Sequence, residues 1–179
     1  MAVREVSGGI KTLRMYLDGE LADAVHDPST GNIANPGALD LIGQRNWCGD
    51  YGFFFGAIDE LSMYGRALSA EEVLGQYAAG VAGKCPACVP MPDGGVALWK
   101  GERDAVDSLA GLQGTMAGGV SFRPGEVGQA FQFNGTDGVV SIPDSPALSP
   151  HAGAQGAMSL GAWVYLDAYP AFDPVTQQG

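Results

Sequence analysis

Gly56-Ala57-Ile58-Asp59-Glu60-Leu61-Ser62-Met63-Tyr64-Gly65-Arg66-Ala67-Leu68-Ser69-Ala70-Glu71-Glu72-Val73 reads as a strand, a turn and the first turn of a helix. Apolar residues dominate 53–64, as a buried strand requires. Ser69-Ala70-Glu71-Glu72 is a capping box, in which the Ser69 hydroxyl takes a backbone N–H of the first turn and Glu72 reaches back to the cap. Val73, Leu74 and Tyr77 would form the buried stripe of this helix, and Gly80 suits its left-handed stop. Two to three turns cannot stand alone in water, so the helix is expected to pack on a sheet.

The rest of the chain alternates with the period of strands. Leu13, Met15 and Leu17 share one face of Thr12-Leu13-Arg14-Met15-Tyr16-Leu17, and Asp18-Gly19 follows, a strong signal for a type I′ hairpin whose return strand begins at Glu20-Leu21-Ala22. Further strands are expected over 39–43, 96–99, 130–133, 139–142 and 158–166. Between them lies Gly83-Lys84-Cys85-Pro86-Ala87-Cys88-Val89-Pro90-Met91-Pro92-Asp93-Gly94-Gly95, whose prolines favour an extended connector. It divides the chain into 1–82, a linker at 83–95 and 96–179. No phrase before it recurs after it.

Composition narrows the function. Among 179 residues, 9 Lys+Arg stand against 20 Asp+Glu, a net charge of -11 that excludes a phosphate-neutralising nucleic-acid surface. Gly 28 and Pro 11 make up roughly 22% of the chain, below the share at which disorder takes over. No apolar run approaches the roughly 18 residues of a membrane span, and no signal peptide is evident.

Tyr16-Leu17-Asp18-Gly19 and the run from Gly56 to Val73 resemble the second half of a laminin-G-like jelly roll, of the concanavalin A-like lectin/glucanase superfamily. Val96-Ala97-Leu98-Trp99, Pro124-Gly125-Glu126-Val127-Gly128-Gln129-Ala130-Phe131-Gln132-Phe133-Asn134-Gly135-Thr136-Asp137, Ile142-Pro143-Asp144-Ser145-Pro146 and Ala162-Trp163-Val164 resemble the first half of another. The resemblance implies an all-β, two-sheet antiparallel sandwich with one short helix. Its halves stand in reversed order, and the strands that should join them have no evident counterpart. The chain is then either a circularly permuted sandwich or an incomplete one cut from a tandem array, and Met1 need not be a natural start. Open sheet edges would otherwise pair with another chain, as in a domain-swapped homodimer.

The resemblance also implies a structural calcium, held by Asp59 with partners from Asp104, Asp107 and the Asn134-Gly135 turn; such a hard cation takes carboxylate and carbonyl oxygens. The alternative is that Asp59 hydrogen-bonds a neighbouring loop while Asp104 and Asp107 are solvated. Alternation would set Asp59 and Glu60 on opposite faces. The glucanases' Glu-x-Asp-x-x-Glu pattern is absent, because Ala57 and Ser62 stand where its glutamates would, so no carboxylate pair for glycoside hydrolysis is expected.

Trp47 and Tyr51, beside Arg45 and Asn46, have the residue types of a sugar-binding groove, since a pyranose offers an apolar face and a rim of hydroxyls. Of Phe53, Phe54 and Phe55, at least one side is core. Trp99 and Trp163 fall in strands and read as packing. Cys85-x-x-Cys88 lacks the further ligands of a zinc site and the following helix of a redox dithiol; a disulfide within this pair, or between one of them and Cys48, fits an extracellular linker better. His26 and His151 sit in loop contexts and read as exposed. The expected function is a non-catalytic recognition module for glycan or an extracellular protein, within a multidomain secreted or surface bacterial protein. A structural spacer is the second reading, and a glucanase-type hydrolase the third.

Overall fold

The structure is a computed structural model that describes residues 1–28, 40–47, 50–82, 90–148 and 156–168. Asp18 and Gly19 take φ of 50° and 80°, the positive values a type I′ turn demands, and join β2 (Ile10–Leu17) to β3 (Glu20–His26). β1 (Ala2–Ser7) pairs with β2 on its other edge. β4 (Asp40–Ile42), β5 (Gln44–Trp47), β6 (Asp50–Phe53) and the ten-residue β7 (Phe55–Tyr64) follow. The expected strand over 53–64 is thus interrupted at Phe54, whose ring turns edge-on to Phe133 with centroids 6.1 Å apart.

Helix α1 (Ala70–Ala79) carries the capping box as read: Glu72 N donates to Ser69 Oγ at 3.3 Å, and Ser69 N donates to Glu72 Oε2 at 2.9 Å. Gly80 ends it with φ of 50°. The buried stripe differs from expectation. Val73 is buried, whereas Leu74 and Tyr77 are half exposed and Gln76 is buried in their stead. The reason is Tyr64, wholly buried, whose hydroxyl donates to Gln76 Oε1 at 3.1 Å; a polar anchor turns the helix by one position.

The second half supplies β8 (Gly95–Trp99), β9 (Thr115–Ala117), β10 (Ser121–Pro124), β11 (Gln129–Asn134), β12 (Val139–Ile142) and β13 (Met158–Leu166). All the pairings are antiparallel. The large sheet runs β10-β11-β7-β13-β1-β2-β3, with β8 continuing β11's side of β7; β4-β12-β9 form a three-stranded sheet and β5-β6 a hairpin. Strands from before and after the linker alternate, because β13 inserts between β7 and β1. Each half therefore completes the other within one chain.

Two cores result. Met63, Ala97, Trp99, Phe131 and Phe133 from the large sheet meet Ile42, Val140 and Ile142 from the small one. On the opposite face Val3, Tyr16, Tyr64, Leu68 and Val73 pack beneath α1. Met63 and Tyr64 are neighbours, yet they enter different cores, as strand alternation requires. Among the described residues no helix is long and apolar enough to cross a membrane.

Candidate functional site

Small residues make a hollow on the helix-side face of the large sheet. Register sets Gln132 opposite Ala57 and Ala57 opposite Tyr165, while Arg123 faces Ala130 and Asp59 faces Trp163. Ala57 and Ala130 leave a low floor between taller neighbours. The result is a cavity of about 250 Å³ lined by Asp59, Arg123, Gly125, Trp163 and Tyr165 among others.

The walls are held in place. Arg123 Nη1 donates to Gln132 Oε1 and to Asp167 Oδ1, both at 3.1 Å, and Gln132 Nε2 donates to Asp167 Oδ2 at 2.7 Å. The Arg123 guanidinium also lies over the Tyr165 ring, 4.8 Å from its centroid. Tyr165 remains 59% exposed. Trp163 is half-buried and leans on Tyr77 of α1, centroids 5.6 Å apart. It serves packing, as expected, and also lines the cavity.

Asp59 is 2% exposed, and its Oδ2 accepts the Val127 N–H at 2.8 Å. Oδ1 is buried without a hydrogen-bond partner. Burial pushes the Asp59 carboxyl up to about 6; the backbone N–H groups of Val127 and Glu60 oppose this, and the charges of Glu60 and Glu102 add to it. Gly125 is obligatory beside it, since a Cβ there would lie 2.5 Å from Asp59 Oδ2. Asp59 and Glu60 are not simply on opposite faces, for Glu60 takes φ of 51° and both side chains are buried.

The other expected calcium ligands are engaged elsewhere. Asp107, 1% exposed, accepts the N–H groups of Leu98, Leu109 and Ala110. Asp104 accepts the Val106 N–H. Asn134 Oδ1 accepts three successive N–H groups, of Thr136, Asp137 and Gly138, and so builds the turn that contains Gly135. Its Nδ2 donates to Asp137, whose carboxyl is held below the usual range chiefly by that bond. Among the described residues no three His, Cys, Asp or Glu side chains are grouped to hold a metal. Asp59, Asp104, Asp107, Asn134 and Gly135 are not gathered into a calcium cage among the described residues; Asp59 hydrogen-bonds the neighbouring loop at Val127 and Asp104 is exposed, as the alternative has it, whereas Asp107 is buried and not solvated.

Of the expected sugar-binding residues, Arg45 and Asn46 lie on β5 opposite Gly52 and Tyr51 of β6, and Trp47 lies opposite Asp50. The side chains of Asn46, Trp47 and Tyr51, together with Cys48, Cys85, Cys88 and His151, lie outside the described residues. His26 ends β3 and is exposed. Reading the sequence alone missed Arg123, Gln132, Tyr165 and Asp167. The alternation Trp163-Val164-Tyr165 was the one available signal, since it sets two rings on one face.

Residues 3–74 match a laminin-G family model described as the Concanavalin A-like lectin/glucanases superfamily. No curated protein and no solved structure matches the chain.

Proposed function

We propose, from the match of residues 3–74 to a laminin-G-like, concanavalin A-like family model, that the chain is a non-catalytic module that recognises glycan outside the cell. The observation that carries this is the hollow at Tyr165. An exposed ring offers a stacking platform for a pyranose face, and Arg123, Gln132 and Asp167, fixed by one another, present donors and acceptors at its rim. Preorganisation of these groups lowers the ordering cost of binding. The superfamily includes glycosidases, but laminin-G-type domains are generally non-catalytic. The one deeply buried acid of this hollow, Asp59, is tied to a backbone N–H, and this supports binding over hydrolysis.

A glycan array on the whole chain, followed by calorimetric titration of any hit, tests the reading. Tyr165→Ala removes the platform at an exposed position. It is expected to weaken binding by at least tenfold, about 1.4 kcal/mol, while leaving the melting temperature unchanged. Unchanged affinity in this variant would remove the hollow from the function.

A further inference from the structure

β1 lies between β13 and β2, and it is shorter than the space between them. Its first residue, Ala2, stands opposite Leu160 of β13 and Met15 of β2. Met1 adds one more rung toward β2, donating to Tyr16 O at 2.6 Å and accepting the Tyr16 N–H at 2.7 Å. β13 runs on past this point to Leu166, held on one side by β7, with Trp163 opposite Asp59 and Leu166 opposite Gly56. On the other side, no strand among the described residues pairs with 162–166. Where β1 separates them, β13 and β2 are two strand spacings apart, about 9.5 Å, so past Met1 they border a slot one strand wide. The cavity of about 510 Å³ occupies that slot. Val73 and Tyr77 line it from the helix side of the sheet, and Ile58 and Val164, which are opposite one another, line it from the side of the core between the sheets. A space lined from both faces lies in the plane of the sheet, not on either face.

We propose that this slot accepts an extended, apolar and uncharged peptide segment of a partner protein by β-strand addition. The edge of β13 fixes the kind of occupant, since a row of backbone N–H and C=O groups is satisfied along its length only by another strand. The line of β1 fixes the direction. A segment continuing that line runs antiparallel to both β13 and β2, with its C-terminal end at Met1. Residues 162–166 give it a run of about 16 Å. Successive side chains of a strand point to opposite faces, so alternate residues of the segment meet Val73 and Tyr77 on one side and Val164 and Leu17 on the other. Both sets are apolar. Asp18 is the one charged side chain among the lining residues, and the chain carries a net charge of -11, so an acidic segment is disfavoured. A second copy is the poorer donor, because its described strands are already paired within their sheets and one would have to be stripped out to enter the slot. The slot uses neither Arg123 nor Tyr165, so this proposal does not depend on the glycan hollow.

Hydrogen–deuterium exchange of the whole chain, with and without the synthetic probe acetyl-Thr-Val-Thr-Val-Thr-Val-amide, provides the test. The probe is expected to slow exchange of the 162–166 amides by at least about tenfold, while the outer strand β3 keeps its rate. The same peptide N-methylated at alternate residues keeps every side chain but cannot complete the ladder, and should leave 162–166 unprotected. Leu17→Glu, at a position 63% exposed in the free chain, should weaken the probe's binding by at least about tenfold with an unchanged circular dichroism spectrum. Val81→Glu, on the exposed turn after α1, should change nothing. Amides of 162–166 that exchange as slowly without the probe as with it at millimolar concentration would overturn the proposal. So would an N-methylated peptide that binds as well as the probe, which would make the slot a general apolar pocket, or a Leu17→Glu protein that binds the probe like wild type.

Discussion

Replacing Asp59 by Asn should make this protein more stable, and increasingly so as the pH rises. Burial raises the Asp59 carboxyl from 3.8 to about 6 in the folded chain. A carboxyl with a raised folded value binds its proton more tightly folded than unfolded, so its contribution is favourable at low pH and is lost as pH climbs between the two values. Linkage puts the loss at roughly 1.6 kcal/mol by pH 5 and about 3 kcal/mol by pH 8. Asn carries no charge at any pH and keeps an oxygen for the Val127 N–H. The variant's advantage should therefore grow by about 1.4 kcal/mol from pH 5 to pH 8, or some 3–5 °C in melting temperature for a domain of this size. Differential scanning calorimetry at pH 5, 6, 7 and 8, taken as the difference between variant and wild type, cancels the background repulsion of a chain with net charge -11. A difference that is flat with pH, or that falls, would refute the assignment of an unpaired buried carboxylate at Asp59.

Ser69→Ala removes the cap of α1 and should cost about 1 kcal/mol in urea unfolding, with an unchanged denaturant slope. Gly125→Ala drives a methyl toward Asp59 and should cost about 1–3 kcal/mol. In an Asp59→Ala background most of that penalty should vanish, and a double-mutant cycle reads the coupling directly. Millimolar calcium, or a chelator, should leave the melting temperature where it is, because the donors of Asp107, Asp104 and Asn134 are already taken by backbone N–H groups. A calcium-dependent rise of several degrees would mean that backbone carbonyls close a cage around Asp59.

Local signals were legible wherever one residue type forces one geometry. Asp18-Gly19 needed positive φ and has it, Ser69 and Glu72 cap a helix and do, and β12 and β13 begin and end where the alternation does. β9 and β10 escaped because three or four residues between glycines carry too little periodicity to register. Asp59 stood out because a carboxylate in an apolar strand must either find a partner or titrate abnormally. Arg123, Gln132 and Asp167 did not stand out, since each is an ordinary surface residue until the pairing of β10, β11 and β7 brings them together. That pairing is long-range, and only the whole sheet specifies it.

The insertion of β13 between β7 and β1 has an energetic consequence that neither half could produce alone. Ser159 at its start is wholly buried and accepts the Leu68 N–H at 2.9 Å while donating to Arg66 O at 2.9 Å, so it fastens the turn before α1. Ser62 Oγ of β7 donates back to Gly161 O at 3.2 Å. Arg4 of β1 binds Asp27 at 2.7 Å and also donates to Gly156 O, just before β13. Loss of β13 would remove the Ser159 hydroxyl that takes the buried Leu68 N–H and the Gly161 carbonyl to which Ser62 donates, each loss costing about 1–3 kcal/mol, and would open both β7 and β1 as raw edges. Residues on either side of the Pro-rich connector thus depend on the same strand for their hydrogen bonds, which makes the interleaved sheet one cooperative unit.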